Sequence, residues 1–378
     1  MKRNIHPEGR ESYDSLARFR KQITIAIALT VLVFLIYFGF STTPPYYALS
    51  KLHSIIALAS QSGAIGFQII GIRYLISRGD KVFKDELPSV LRHQGGSCPH
   101  TAMKRKLYDN THFIKFIAVF FSPFIIIELI NLLIGNKSLL YHVSPSLSSI
   151  LFDIFNCGVT FGNYFLLGTI LWIFFSAVSM TGEIKNAEYG LYDAVDIYCP
   201  DRIGGLSPVR KYLFSILYVF LASIALLMMG YIPLLIMLES MIHFLRAGLY
   251  LPFFNIIADL CIFILLSFLG AILTITGLNR LCSICLKSLE DRIKYINARY
   301  NDIQKKLLSI PFDELYRSEG EVDNLRSAVD IFGTERERLL QWHSHCSGVN
   351  VGTTLQLFVA YIPPLVAAAF QLSQLFPL

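Results

Sequence analysis

Apolar segments recur seven times along the chain, and each is long enough to cross a bilayer, which takes about 20 mostly apolar residues. The segments lie near 23–42, 52–76, 113–135, 149–180, 212–239, 251–278 and 349–376. A helix satisfies its own backbone hydrogen bonds in lipid, so runs of this length predict helices. The pattern therefore predicts an all-α polytopic membrane protein with about seven transmembrane helices.

The second segment, 52–76, is the most polar of these. It carries His53, Ser60, Gln61, Ser62, Gln68 and Arg73 among other polar residues. Polar groups are costly in hydrocarbon, so residues of this kind usually face other helices or water. We expect this segment to be shielded by its neighbours or to line a wet cavity.

Lysine and arginine are distributed very unevenly between the loops. The segments 1–22, 77–112, 182–211 and 280–346 hold 6, 7, 4 and 11 of them, which is 28 of the 33 in the chain. The intervening loops hold only Lys51, Lys137 and Arg246. Cytoplasmic loops retain positive charge, so this bias predicts a cytoplasmic N-terminus and an external C-terminus.

Composition supports a membrane protein and argues against a nucleic-acid-binding protein. Hydrophobic residues make up 54% of the chain and its mean hydropathy is +0.52, whereas soluble domains are about 45–50% apolar. The formal net charge of +6 follows the predicted topology and does not form one basic stripe. We therefore expect a lipid bilayer, and no nucleic acid, as a partner.

Two stretches with heptad-like spacing precede the last apolar segment. Apolar residues recur at steps of three and four in 286–310 and again in 321–345, which gives each helix an apolar stripe. Pro311 separates the stretches, because proline ends a helix. Their equal lengths predict a cytoplasmic antiparallel helical hairpin folded about residues 315 and 316. Two separate amphipathic helices packed on the inner loops are the alternative.

These features divide the chain into four parts. Residues 1–22 form a cytoplasmic N-terminal segment, 23–280 a six-span membrane region, 281–348 the hairpin and 349–378 the last transmembrane helix. Since the hairpin joins two spans directly, it is placed to assemble subunits or to receive a signal from a soluble cytoplasmic partner.

Cysteine and histidine cluster at the base of the predicted hairpin. Cys282 and Cys285 have the C-x2-C spacing of a metal half-site, and His343, His345 and Cys346 end the second stretch. Thiolate and imidazole are the ligands that zinc prefers in structural sites. Alternatively, the small cysteines fill a tight helix junction while the histidines lie at the level of the lipid headgroups.

Four carboxylates interrupt or border the apolar segments. Under the predicted topology Glu128, Asp153, Glu239 and Asp259 all fall in the outer half of the membrane. Carboxylates at one depth attract cations and can set selectivity in a pore, so these residues are candidates for an ion pathway. Alternatively, each is paired with or hydrogen-bonded to a neighbouring polar side chain.

One loop carries a resemblance to known proteins. Residues 200–206 read Pro-Asp-x-x-Gly-Gly-Leu, with Asp201, Arg202, Gly204 and Gly205 in a turn that glycine and proline favour. This string resembles a loop of uncharacterised prokaryotic multi-span membrane proteins, which implies a prokaryotic cytoplasmic membrane and no particular activity. The seven-span layout with a cytoplasmic N-terminus is also similar to that of insect chemoreceptor channels.

The sequence favours ion transport over catalysis. Phosphate-loop, zinc-protease and serine-hydrolase motifs do not occur in it, so we expect neither an enzyme nor a cofactor. The acidic residues, the polar second segment and the hairpin favour an oligomeric, cation-conducting ion channel. The alternatives are a secondary transporter with an intramembrane carboxylate ion site, and a non-conducting scaffold or sensor that docks a soluble partner.

Overall fold

The fold is known from a computed structural model that describes residues 21, 23–36, 39, 51–87, 105–107, 109–133, 147–185, 206–230, 251–310, 319–345 and 355–366. Every regular element in these residues is helical. The helices are α1 Ile23–Ile36, α2 Lys51–Lys81, α3 Asn110–Leu133, α4 Leu147–Lys185, α5 Ser207–Gly230, α6 Leu251–Ser309, α7 Glu319–His345 and α8 Leu355–Val366. A π-helical turn, Val82–Glu86, follows α2 directly.

Three of the described helices are long and apolar enough to cross a membrane. They are the part Gly158–Gly182 of α4, the whole of α5, and a part of α6 that begins at Cys261. The described parts of α1 and α8 are apolar but shorter. The all-helical fold class is therefore confirmed for the described residues.

The centre of the molecule is a bundle of α2, α4, α5 and α6. Helices α4 and α5 contact each other, and both contact α2 and α6. Leu75, Leu171, Leu217 and Leu278, one from each helix, are at most 2% exposed and belong to a single apolar cluster. For helices surrounded by lipid, such packing stabilises the bundle through van der Waals contact more than through removal of apolar surface from water.

Glycines bring α2 and α5 close together in opposite directions. A Cβ atom on Gly71 would lie 2.5 Å from a methyl carbon of Val219, and one on Gly79 would lie 2.7 Å from the hydroxyl of Tyr212. Residue numbers therefore rise along α2 while they fall along α5. Small residues at such contacts let helix backbones approach closely.

Helix α6 runs antiparallel to α5 and parallel to α4. Gly270 packs against Phe220 and Gly277 against Leu213, so numbers fall along α5 as they rise along α6. On its other side α6 packs against α4. The Phe263 ring lies 6.2 Å from that of Tyr164, and Arg280 lies over Gly182. Thus α2, α4 and α6 point one way and α5 points the other.

Three helices lie around the bundle. Helix α3 is antiparallel to α4 and meets it through aromatic rings, with Phe113 5.9 Å from Trp172 and Phe121 6.4 Å from Phe161. Helix α1 packs against α2 and α4 at Val33. Helix α8 lies against α5 and α6, where Tyr361 donates a hydrogen bond to a carbonyl of α6.

Helix α6 continues far beyond the bundle without a break. Residues 278–309 contain neither glycine nor proline, and the helix ends at Ser309 because Ile310 precedes Pro311, a position that disfavours helix. The sequence predicted a span at 251–278 joined directly to a hairpin arm at 286–310; the structure has both in one helix of 59 residues. Ile284 is the last residue of α6 in the bundle core, so at about 1.5 Å per residue the 25 residues that follow it extend roughly 37 Å past the bundle.

Helix α7 folds back along this extension. Leu289 and Ile296 of α6 are buried with Leu339 of α7 in a small apolar cluster. His343 lies 3.8 Å from Glu290, and Gly333 lies against Tyr300, so the two helices are antiparallel. The apolar side chains that recur at heptad-like spacing form this contact.

Candidate functional site

Two glutamines of α2 face the inside of the bundle. Gln61 and Gln68 are two helical turns apart and so lie on the same side of α2, the side that packs on α5. Gln68 is 0% exposed and Gln61 is partly buried. Ser62 is also buried, but it is one residue further along and projects about 100° away from this line. The predicted shielding is present for Ser60, Ser62 and Gln68, whereas Arg73 is exposed and the side chain of His53 lies outside the described residues.

Asn163 of α4 completes a polar contact with Gln61. Its side chain is 2% exposed, and its Nδ2 donates a hydrogen bond of 3.3 Å to the backbone carbonyl of Gln61. Gly230 of α5 also lies against Gln61, since a Cβ atom on residue 230 would be 2.6 Å from Cγ of Gln61. A glycine at this position leaves room for the glutamine side chain between three helices.

Most of the side-chain polar atoms of Gln61, Gln68 and Asn163 have no hydrogen-bond partner in the part of the chain that the structure describes. Buried without a hydrogen bond are Oε1 of Gln61, Oε1 and Nε2 of Gln68, and Oδ1 of Asn163. A buried polar group without a partner costs about 1–3 kcal/mol. By contrast, the buried hydroxyls of Ser223 and Thr274 each bond the carbonyl four residues earlier in their own helix, at 2.7 and 2.9 Å.

A fourth polar side chain lies further along the same side of α2. Tyr212 of α5 is fully buried with its hydroxyl against Gly79 and its ring 5.9 Å from that of Phe83, and the hydroxyl has no hydrogen-bond partner among the described residues. We call Gln61, Asn163, Gln68 and Tyr212 the polar line. From Gln61 to Gly79 it covers about 27 Å of α2, close to the roughly 30 Å thickness of a bilayer's hydrocarbon core.

An apolar section interrupts the polar line. Between Gln68 and Gly79, about 16 Å apart along the helix axis, α2 presents Ile72 and Leu75 to the bundle, and Leu75 is 0% exposed. Val219 of α5 packs into the same section over Gly71, as described above. The line thus consists of a polar region at Gln61–Gln68 and a separate hydroxyl at Tyr212. Side chains fill the space between them.

The interior is electrically neutral where it is described. The buried polar side chains outside the apolar core are serines, threonines, one glutamine and one asparagine, with no carboxylate or basic group among them. Neutral dipoles in a low-dielectric environment interact strongly with an ion. They add no net charge to the interior when no ion is bound.

Charged residues gather at one end of the bundle, where α2 ends and α3 and α5 begin. We call this the charged end. Here Arg78 forms a two-pronged ion pair with Glu86, at 2.7 and 3.3 Å, across the π-helical turn. Asp109 immediately precedes α3 and accepts a hydrogen bond from the backbone N–H of His112. This bond and the His112 side chain lower the pKa of the Asp109 carboxyl.

Arg280 ties the long helix α6 to α4 at the charged end. Its guanidinium donates a 2.9 Å hydrogen bond to the carbonyl of Val178 and lies over Gly182. The residue stands where the bundle part of α6 gives way to the part paired with α7. A movement of the α6–α7 pair would therefore reach α4 through this contact.

The four predicted carboxylates are only partly located. Glu128 lies within α3, Asp153 within α4 and Asp259 within α6, but their side chains and all of Glu239 lie outside the described residues. The ion-pathway role of these four stays a prediction. Of the loop motif, Asp201, Arg202, Gly204 and Gly205 also lie outside them, and Leu206, which follows, is buried in the bundle core.

The predicted cysteine and histidine cluster is divided between two environments. Cys282 is buried in the bundle core, whereas Cys285 is buried in the α6–α7 cluster. His343 faces Glu290 at 3.8 Å. The described residues contain no group of three histidine, cysteine or acidic side chains that could hold a metal; the side chain of His345 and all of Cys346 lie outside them. Cys282 and Cys285 are both buried at helix junctions, and the metal site, which needs His345 and Cys346, stays a prediction.

Sequence reasoning missed two members of the polar line. Asn163 is the one amide in the apolar stretch 158–180 of α4, a signal that could have been weighed with Gln61. Tyr212 gave no signal, because an aromatic residue at the start of an apolar helix is ordinary. No protein-family model, curated protein or solved structure matches the chain, so its function has to be inferred from the geometry of the site.

Proposed function

We propose that this protein is an ion-conducting membrane protein, specifically an oligomeric cation channel, in which ions follow the polar line. The observation that carries the proposal is the set of buried amides at Gln61, Gln68 and Asn163, whose polar atoms lack partners among the described residues. Such groups destabilise a fold by an amount comparable with a lost hydrogen bond. Their presence inside an apolar helix bundle is explained if they contact a passing ion.

The apolar section supplies a gate for this channel. Leu75 and Ile72 pack inside the bundle between the amides and Tyr212. Hydrophobic constrictions stop ions by excluding water, so this arrangement corresponds to a closed state. Opening requires α2 and α5 to separate at Gly71 and Gly79, the glycine contacts that hold them together.

The directions of the helices support the seven-span topology within the proposal. Among the described helices, α2, α4 and α6 point one way while α3 and α5 point the other, as successive membrane crossings require. The charged end lies where the predicted cytoplasmic loops begin, which agrees with a positive cytoplasmic side. We place the protein in a prokaryotic cytoplasmic membrane on the weaker ground of the loop resemblance.

The α6–α7 hairpin is proposed to assemble subunits or to gate the channel. Helix α6 is continuous from the bundle into the hairpin, so a force on the hairpin acts directly on the bundle. Leu308 and Ile331 are 79% and 66% exposed on it, and such apolar side chains are available to a second hairpin or to a soluble partner.

The hairpin can be tested by crosslinking. In a chain freed of its own cysteines, Glu290→Cys with His343→Cys should crosslink with a short thiol reagent, because the two side chains are 3.8 Å apart. Lys305→Cys with His343→Cys is the matched control, since residue 305 lies about 22 Å further along α6 and should not react. Equal crosslinking of both pairs would contradict the register.

Single-channel recording tests the conducting role. Purified protein in planar bilayers under asymmetric KCl should give discrete current steps with a cation-selective reversal potential. Gln68→Leu should abolish or strongly reduce them, whereas Thr274→Val, at a buried hydroxyl bonded within its own helix, should not. Silence from folded, inserted wild-type protein would reject the channel, and unchanged currents in Gln68→Leu would remove the polar line from the pathway.

A secondary transporter remains the second candidate, favoured by one observation. The apolar section separates the amides from the charged end, as expected of a solute site that opens to one side of the membrane at a time. Saturable, gradient-driven uptake without current steps would favour this alternative.

A further inference from the structure

The polar atoms without partners are mainly oxygens. Of those on the polar line, Gln61, Asn163 and Tyr212 each contribute one oxygen, and only Gln68 contributes a nitrogen as well. One N–H of the Asn163 amide donates to the Gln61 carbonyl. The buried side-chain atoms of Gln61 and Asn163 that have no partner among the described residues are both carbonyl oxygens, which suits a positively charged ligand.

The strength of this field distinguishes between cations. The cost of taking an ion out of water rises with the square of its charge, and it is large even for a single charge. Calcium and magnesium sites offset that cost with carboxylates, which do not occur among the buried side chains described here. Neutral carbonyl oxygens are the ligands with which potassium channels replace part of the hydration shell.

The geometry places one such site at a defined point. Asn163 donates to the backbone carbonyl of Gln61, the Gln61 side chain packs against Gly230 of α5, and Asn163 is 2% exposed. We propose that Oε1 of Gln61 and Oδ1 of Asn163 bind a partly dehydrated monovalent cation. Water completes its shell, and Gln68, about 10 Å further along α2, takes the ion next. This inference rests on the proposed function and names its substrate class.

Thermal unfolding of the full-length protein in detergent tests the binding. Raising KCl against choline chloride at constant ionic strength should raise the unfolding midpoint, while CaCl2 should not. Asn163→Leu should shift the half-effective potassium concentration upward by about tenfold or more, since it removes one oxygen ligand of a charged group. Ser223→Ala, at a hydroxyl bonded within its own helix, is the matched control and should behave as wild type.

A second, isosteric variant keeps the test valid if the leucine variant misfolds. Asn163→Asp keeps the side-chain oxygen, replaces the amide nitrogen with a second oxygen and adds a charge, so calcium should now stabilise the protein. Calcium stabilising the wild type as strongly as potassium would overturn the inference, and so would an unchanged potassium response in a folded Asn163→Leu variant.

Thallium(I) uptake into liposomes separates this inference from the proposed function. Potassium-dependent stabilisation without thallium flux would uphold the site and reject conduction. Thallium flux without a potassium response at Asn163 would uphold conduction and reject the site. Flux of thallium that is lost in Asn163→Leu and retained in Ser223→Ala would support both.

Discussion

Replacing Gln68 by leucine should make the protein more stable while it removes ion conduction. The glutamine is 0% exposed, and neither its Oε1 nor its Nε2 has a hydrogen-bond partner among the described residues. Leucine has a similar size and packs with the apolar residues on either side along α2, Ala64 and Leu75. A change that raises stability at the expense of activity is typical of residues kept for function.

The magnitude follows from the cost of the buried amide. An unsatisfied buried polar group costs about 1–3 kcal/mol, and an apolar group of the same shape avoids this cost. We therefore expect Gln68→Leu to raise the free energy of unfolding by about 1–3 kcal/mol. Ser223→Ala removes a hydroxyl already bonded to the Val219 carbonyl at 2.7 Å, and we expect it to lower the free energy of unfolding by less than about 1 kcal/mol.

Equilibrium unfolding in mixed micelles measures both values. Each variant is titrated with sodium dodecyl sulfate in a mild detergent, and helicity is followed by far-ultraviolet circular dichroism. A free energy of unfolding that falls in Gln68→Leu would refute the reasoning, because it would mean that the amide has a structural hydrogen bond in the native protein. A rise accompanied by normal currents would show that the amide is neither structural nor part of the pathway.

Three further outcomes follow from the same packing. Gly71→Leu should destabilise the α2–α5 contact by about 1–3 kcal/mol through overpacking, because a Cβ atom alone would lie 2.5 Å from Val219; Gly63→Ala, with open space around its Cβ, is the control in the same unfolding titration. Leu75→Ser should raise the open probability in bilayer recordings by wetting the apolar section. Asp109 contributes stability above its unfolded-state pKa that is lost as pH falls through its lower folded-state pKa, and Asp109→Asn should flatten this acid dependence in unfolding titrations between pH 5 and pH 2.

The proposed gate and the proposed ion site are linked by α2. Gln61, Leu75 and Gly79 lie on one side of this helix, so a rotation that moves the leucine out of the bundle also moves the amide ligand. Arg280 connects α4 to the hairpin at the charged end. Without this side chain, movement of the hairpin should no longer change the open probability of the channel. Currents recorded from Arg280→Ala with the hairpin crosslinked and with it free would test this.

The amino-acid sequence by itself determined the helical class and the grouping of the charges. Apolar segments about 20 residues long predict helices because lipid offers the backbone no hydrogen bonds, and the described helices overlap the predicted segments. The heptad-like spacing marked the residues of α6 and α7 that face each other, among them Leu289, Ile296 and Leu339. These are local properties, since each depends on the spacing of residues along one helix.

The tertiary structure alone decided which polar groups meet inside the bundle. Asn163 and Gln61 are 102 positions apart in the chain, and Tyr212 reaches the line only because Gly79 admits its ring. Helical spacing fixes the side of one helix on which a residue lies, but not which other helix packs there or at what height. Those choices depend on how small and large side chains fit across pairs of helices. The sequence drew attention to carboxylates by their depth, whereas packing brought neutral amides together in the interior.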